Sequence, residues 1–262
     1  MSGIAIVLSG GAARCIAHLG VLETLSRHGI PIHSVSGTSG GALVGALYAS
    51  GKYSPDDLIR LARSVHAWDI THPVLSRRGF LSSKRIARFM RSRMGDLDFD
   101  DLLLPLAVVA TDLDTGKKVV IREGSVARAV QASCSLPAVF KPLDHKGRIL
   151  IDGGFISQIP VRAAREDLGA DFVIAVDVNF RGMEGVSPPR NSLRTIIHLA
   201  SLVARKNAEE EGPLADTLIR VNVEGIGLMD FRKREDLLNR GRAAAEEAIN
   251  EIIRNLKGKN LY

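Results

Sequence analysis

The stretch VSGTSGGALVGAL, residues 35–47, carries a serine in the pattern G-x-S-x-G, with a strand-like run before it and a helix-like run after it. A serine so placed can serve as a nucleophile. A sharp strand-to-helix turn lifts its hydroxyl clear of the backbone, and small flanking residues, here Gly37 and Gly41, let the chain pass without clashing. The helix expected to begin at Gly40 would aim its free N–H groups and positive dipole end at Ser39, where charge would gather on an attacked carbonyl oxygen. The same five residues also suit a plain glycine-rich turn.

A second glycine-rich turn, SGGAARC at residues 9–15, follows another strand-like run. It fits neither G-x-G-x-x-G nor G-x-x-x-x-G-K-[ST], and no acidic residue stands where a ribose hydroxyl would need one, so a dinucleotide site is disfavoured. An oxyanion hole suits it better: the successive N–H groups of Gly10, Gly11 and Ala12, backed by Arg14, offer donors to an anionic oxygen.

A serine nucleophile needs a base. The histidines after Ser39 stand in unconvincing settings: His66 and His72 in a basic segment, His145 at the hairpin tip LDHKGR, His198 within the helical pattern LRTIIHLASLVARK. His18 lies on an apolar helix and reads as a packed residue. Asp152, in RILIDGGFISQIPV, ends an apolar strand directly before two glycines, where a carboxylate can reach across the mouth of a parallel sheet. Asp-Gly-Gly alone is also a common turn.

The surrounding elements suit such a site. GIAIVLSGG and IHSVSG each lead through glycines into an apolar-periodic helix, closed by Gly29 and Gly51 respectively, and two such units in succession imply a parallel sheet covered by helices. LPLAVVATDL, KKVVIREG and the continuous apolar run FVIAVDVNF read as further strands. Residues 54–101 read as helical and basic, residues 181–190 as an exposed loop, and residues 233–258 as a long amphipathic helix with a candidate break at Gly241. The fold class is α/β, a mostly parallel sheet between helical layers, and residues 1–262 are expected to form one domain.

The composition, 45% hydrophobic and 24% charged over 262 residues, is that of a globular protein. No apolar run approaches the roughly 20 residues of a membrane span, and the N-terminus lacks a signal-like pattern, so the expected location is cytoplasmic. Cys15 and Cys134 suit reduced thiols, and neither a zinc site nor a calcium loop is indicated. Net charge is +6, concentrated between Arg60 and Met94, where nine basic residues (Arg60, Arg63, Arg77, Arg78, Lys84, Arg85, Arg88, Arg91 and Arg93) face one acid, Asp69. Such a stretch suits anionic lipid headgroups, nucleic acid or a solvated helix face.

Taken together, VLSGGAARCIAHLGVLETL, SVSGTSGGALVGALYASG, VATDLDTGKKVVIREG, VQASCSLPAVFKPL and LIDGGFISQIPV resemble the patatin-like phospholipase family, in the family's order and over most of the first 180 residues. The resemblance implies a three-layer α/β/α fold and a serine–aspartate dyad. Ser39 would be the nucleophile and Asp152 its base, with no histidine required. It further implies hydrolysis of lipid acyl esters, phospholipids or lysophospholipids; no cofactor or metal is indicated by the residues, and no nucleic-acid partner is expected. The family's glycine turn reads G-G-G-x-[RK]-G, so Ala12 and Cys15 depart from it. That departure and the basic segment motivate an alternative, a regulatory or membrane-binding member of the family with little hydrolytic activity.

Overall fold

The computed structural model describes residues 3–64, 83–137, 139–185 and 191–261. The strands are β1 (Ile4–Leu8), β2 (Ser34–Thr38), β3 (Leu106–Asp112), β4 (Lys118–Ile121), β5 (Leu143–His145), β6 (Arg148–Asp152), β7 (Phe172–Asp177) and β8 (Thr217–Arg220). Between them run the helices α1 (Ala17–Arg27), α2 (Gly40–Ala49), α3 (Pro55–Ser64), α4 (Lys84–Met94), α5 (Val126–Ser133), α6 (Ser192–Glu211) and α7 (Arg234–Gly258).

The five residues of β1, IAIVL, are apolar without alternation and all buried, the pattern of a strand covered on both faces. Strands follow the order β5-β6-β3-β2-β1-β7-β8, with β4 also beside β3. From β3 through β8 the neighbours are parallel; β4 and β6 run antiparallel to β3, and β5 antiparallel to β6. The result is the mostly parallel sheet flanked by helices that the sequence implies. Ile4, Ile6 and Leu8 face a thick layer that includes Leu22 of α1, Leu47 of α2, Met90 of α4 and Leu238 of α7. Ala5 and Val7 face a thinner one, in which Ile159, Val161 and Ala164 join Ala208 of α6.

α7 is continuous through Gly241, contrary to the break considered from sequence. The glycine serves close approach instead. A Cβ there would lie 2.1 Å from the Ala17 carbonyl oxygen, and one on Gly20 of α1 would lie 2.2 Å from that of Leu238. The backbones of α1 and α7 touch where each has only hydrogen. On an exposed helix Gly→Ala would stabilise by roughly 0.5–1 kcal/mol. Gly241→Ala is instead expected to cost about 3 kcal/mol, read as a lowered midpoint in urea unfolding, because the helices must part.

Much of the positive charge between Arg60 and Met94 is paired in the fold. Arg60 meets Asp57, Arg63 grips both carboxylate oxygens of Glu235, Arg91 meets Asp96, and Arg93 lies over the Phe89 ring. Arg77 and Arg78, like His66, Asp69 and His72, lie outside the described residues. Among the described residues no helix is long and apolar enough to cross a membrane.

Candidate active site

The pairing of β3 brings the two candidate residues together. β4 occupies one of its edges from Val108 to Thr111. A strand residue has only two lateral neighbours, so β2 and β6 share the other edge. β2 pairs as far as Thr38 with Val109, and β6 takes over with Asp152 opposite Ala110. The two strands therefore meet end to end. Ser39 follows the end of one, and Asp152 is the last residue of the other.

Ser39 sits at the tip of this junction in the left-handed region, with φ 52° and ψ −125°, immediately before α2. A non-glycine residue held there stores strain, as a nucleophile elbow does. Gly41 and Gly37 make the elbow sterically possible. A Cβ on Gly41 would come 2.2 Å from the Leu8 carbonyl oxygen, and one on Gly37 would come 2.7 Å from Ala42 Cα. The Ser39 N–H donates to Ser133 Oγ at 2.7 Å, and the Ser133 hydroxyl donates to the Val109 carbonyl at 2.6 Å. Ser133 thus bridges the ladder where β2 leaves it. Nothing local in the sequence marks this residue beyond its place in the stretch VQASCSLP.

Ser39 Oγ donates to Asp152 Oδ2 at 2.7 Å, while Oδ1 accepts the Gly154 N–H at 2.9 Å. The carboxylate is further placed by its own main chain, whose carbonyl accepts from Thr111 Oγ1 and whose N–H donates to Ser135. Burial pushes the Asp152 carboxyl up to about 6, against the opposing effect of the hydrogen bonds from Ser39 and Gly154. Gly153 fits beside Thr38 because it lacks a side chain: a Cβ would lie 2.3 Å from the Val109 oxygen.

The first glycine turn lies alongside and shares a cavity with Ser39 and Asp152. The Gly10 N–H donates to the Gln158 carbonyl, and the Gly10 carbonyl accepts from Gln158 Nε2 at 3.0 Å and Asn179 Nδ2 at 2.6 Å. A planar trans peptide then points the Gly11 N–H to the opposite side. Among the described residues the N–H groups of Gly11 and Ala12 have no acceptor. Arg14 is committed elsewhere: its guanidinium donates to the carbonyls of Ile226 and Gly182 and to Asn179 Oδ1, and its N–H donates to Gly11. Gln158 and Asn179, which orient this turn, carry no signal that sequence reasoning could use.

Ala12 occupies the left-handed region with φ 48°, which explains why glycine suits that position, and its side chain is exposed. Ala12→Gly removes that strain without losing packing. It is expected to raise stability by up to about 1 kcal/mol, in part offset by the freer unfolded chain. Urea unfolding measures the gain, and hydrolysis of a soluble ester is expected to stay equal or rise. Cys15 packs its sulfur against Gly40 at the start of α2 and donates to the Ser9 carbonyl. Burial raises both the Cys15 and Cys134 thiols, so neither is poised as a thiolate.

Two cavities of about 340 and 330 Å³ meet at Ser39 and Asp152. The first also borders Asp177, Arg181, Glu184, Arg205 and Arg220, beside apolar residues such as Phe155, Phe180 and Leu218. The second is walled by Leu19, Leu43, Leu47, Phe89, Val139 and Phe140. The described histidines lie apart from the pair's hydrogen bonds. His18 Nε2 donates to the Ser9 carbonyl, with burial lowering the ring's pKa to about 4; His145 ends β5; His198 is on α6.

Fold and site define an α/β protein with a serine at a glycine elbow and a buried carboxylate as its hydrogen-bond partner. The chain belongs to the patatin-like phospholipase family, whose model matches residues 6–165. An uncharacterized NTE family protein of Mycobacterium tuberculosis is 35% identical over 179 residues, 67% of this chain and 49% of its own length. A second from that organism is 30% identical over 275 residues, 94% of this chain and 46% of its own. The mouse patatin-like phospholipase domain-containing protein 6 is 35% identical over 204 residues, 72% of this chain and 14% of its own. The chain thus spans about half the length of these mycobacterial relatives. VipD from Legionella pneumophila shares the fold with a TM-score of 0.68 at 14% identity, covering 95% of this chain and 67% of VipD. Human GIVD cytosolic phospholipase A2, solved with methyl gamma-linolenyl fluorophosphonate, shares it at 0.52 and 12%, covering 98% and 58%.

Proposed function

We propose that this chain hydrolyses acyl esters of lipids, phospholipids or lysophospholipids, through an acyl-enzyme on Ser39 with Asp152 as the base. The observation that carries this is the 2.7 Å bond from Ser39 Oγ to Asp152 Oδ2 at the meeting of two cavities, one almost wholly apolar and one that also borders charged side chains. Membership of the patatin-like phospholipase family supports a lipid hydrolase.

In this reading the acyl chain lies in the apolar cavity and the polar part of the lipid in the other. Asp152 takes the Ser39 proton as Oγ bonds to the ester carbonyl carbon. The carbonyl oxygen becomes an oxyanion, held by the Gly11 and Ala12 N–H groups and the N-terminus of α2. When the intermediate collapses, the bond from carbon to the leaving oxygen breaks, and Asp152 returns the proton to that oxygen. Water then attacks the acyl-serine, again giving its proton to Asp152, and the fatty acid leaves as Ser39 recovers its hydrogen. A carboxyl near 6 is a better base than an ordinary aspartate and remains mostly ionised at neutral pH.

A fluorophosphonate probe, followed by peptide mass spectrometry, tests the nucleophile: one adduct is expected on Ser39 and none in Ser39→Ala. A panel of p-nitrophenyl esters, phospholipids and lysophospholipids tests the substrate class. A folded protein that takes no label and cleaves none of the panel would instead fit the lipid-binding, non-hydrolytic alternative.

A further inference from the structure

α6 is apolar on two sides. Ile197, Ala200, Ala204 and Ala208, at helical spacing, border the cavity that holds Ser39 and Asp152. On the outward side Ile196, Leu199, Leu202 and Val203 are between 42% and 54% exposed, and Leu193 is exposed at the helix start. Four large apolar side chains left in water along two turns form a contiguous stripe, and such stripes mark interaction surfaces. The helix is firmly held at its far end. Asn207 Nδ2 donates to the Gly154 carbonyl, and buried Glu211 accepts from Ser157 Oγ and the Arg162 N–H. These anchors fall on the segment that begins with the Asp152 turn, so the stripe is fixed relative to the dyad.

Charge identifies the occupant. Along the apolar stripe α6 carries Arg194, Arg205 and Lys206, all exposed, and its acids are confined to the last turn: Glu209, exposed Glu210 and buried Glu211. Arg205 pairs with Glu209. Among the described residues neither Arg194 nor Lys206 meets a carboxylate. An apolar stripe flanked by exposed cations is the pattern of a helix lying in a bilayer interface. We propose that the outward face of α6 seats the protein on anionic lipid bilayers and holds the Ser39 cleft at the membrane surface. The proposal rests on the lipid-hydrolase reading for its purpose, but the surface can be tested without any turnover.

The test uses the full chain carrying Ser39→Ala, cosedimented with phosphatidylcholine vesicles with and without phosphatidylglycerol. Binding is expected to be stronger with phosphatidylglycerol and to weaken as salt rises. Leu199→Ser with Leu202→Ser should lower it about tenfold or more on both compositions, since buried leucines contribute well over one decade in affinity. Arg194→Gln with Lys206→Gln should lower it about tenfold on the anionic vesicles alone. In the chain with Ser39 intact, the same substitutions should leave hydrolysis of p-nitrophenyl butyrate unchanged, because none of the four residues lines the cavities. Vesicle binding that survives both pairs overturns the proposal. So does a dimer in sedimentation equilibrium that Leu199→Ser with Leu202→Ser dissolves, which would assign the face to a second copy. Absence of soluble-ester hydrolysis in the chain with Ser39 intact, with vesicle binding present and lost in both pairs, would count against the dyad and leave the α6 surface standing.

Discussion

Ser39→Ala is expected to lower ester hydrolysis by at least about three orders of magnitude, the scale of losing a nucleophile outright, while circular dichroism and the unfolding midpoint should change little. The hydroxyl donates to Asp152 and lies within hydrogen-bonding reach of the Cys134 thiol, and the residue is only half-buried. The backbone at φ 52° stays as strained with alanine as with serine. Ser39→Gly is the informative companion. It should be equally inactive yet more stable by about 1 kcal/mol, because glycine adopts this conformation without the Cβ clash. Inactivity together with a gain in stability in urea would show that the strain serves the nucleophile. Wild-type turnover by purified Ser39→Ala would remove Ser39 from the mechanism.

Asp152→Asn is expected to lower kcat by a comparable factor, since the amide keeps the shape but cannot take the proton. In the wild-type chain the acid limb of kcat/KM for a soluble ester should have its midpoint near pH 6, the value to which burial raises this carboxyl, with a plateau above it. Stability follows with a definite sign. The folded state keeps the Asp152 proton up to about pH 6, whereas the unfolded chain releases it near pH 4, so stability falls as pH rises between those values. The full effect, roughly 3 kcal/mol, is then present at pH 7. Asp152→Asn escapes it and should be the more stable protein at neutral pH, by less than that figure because the bonds from Ser39 and Gly154 are altered. The difference should vanish below pH 4. A pH-rate profile without a limb near 6, or an active Asp152→Asn, would exclude Asp152 as the base.

Several parts of this protein are legible in short windows of sequence, because the requirement is itself local. IAIVL and FVIAVD announce strands covered on both faces, since an unbroken apolar run leaves no side for water. G-T-S-G-G announces the elbow, since Gly37 and Gly41 answer contacts made within the same strand–turn–helix unit or with the neighbouring strand. Lys146 and Gly147, both at positive φ, close the hairpin that LDHKGR suggests. Asp152 is visible as a candidate, but Asp-Gly-Gly taken alone is most often a turn.

The tertiary structure decides what depends on distant chain segments. Ser39 and Asp152 are 113 positions apart, and they meet because β2 and β6 end at adjacent positions on one edge of β3. That is a matter of register, which no window containing either residue encodes. Arg14 reads as an anion donor from its place in the glycine turn, yet carbonyls more than 160 positions away take its guanidinium. Gly241 reads as a helix breaker, and only the approach of Ala17 shows it to be a packing contact. The outward stripe of α6 has the same apolar periodicity as a core helix. Periodicity tells that a face is apolar; only the packing of the rest of the chain tells whether that face is covered.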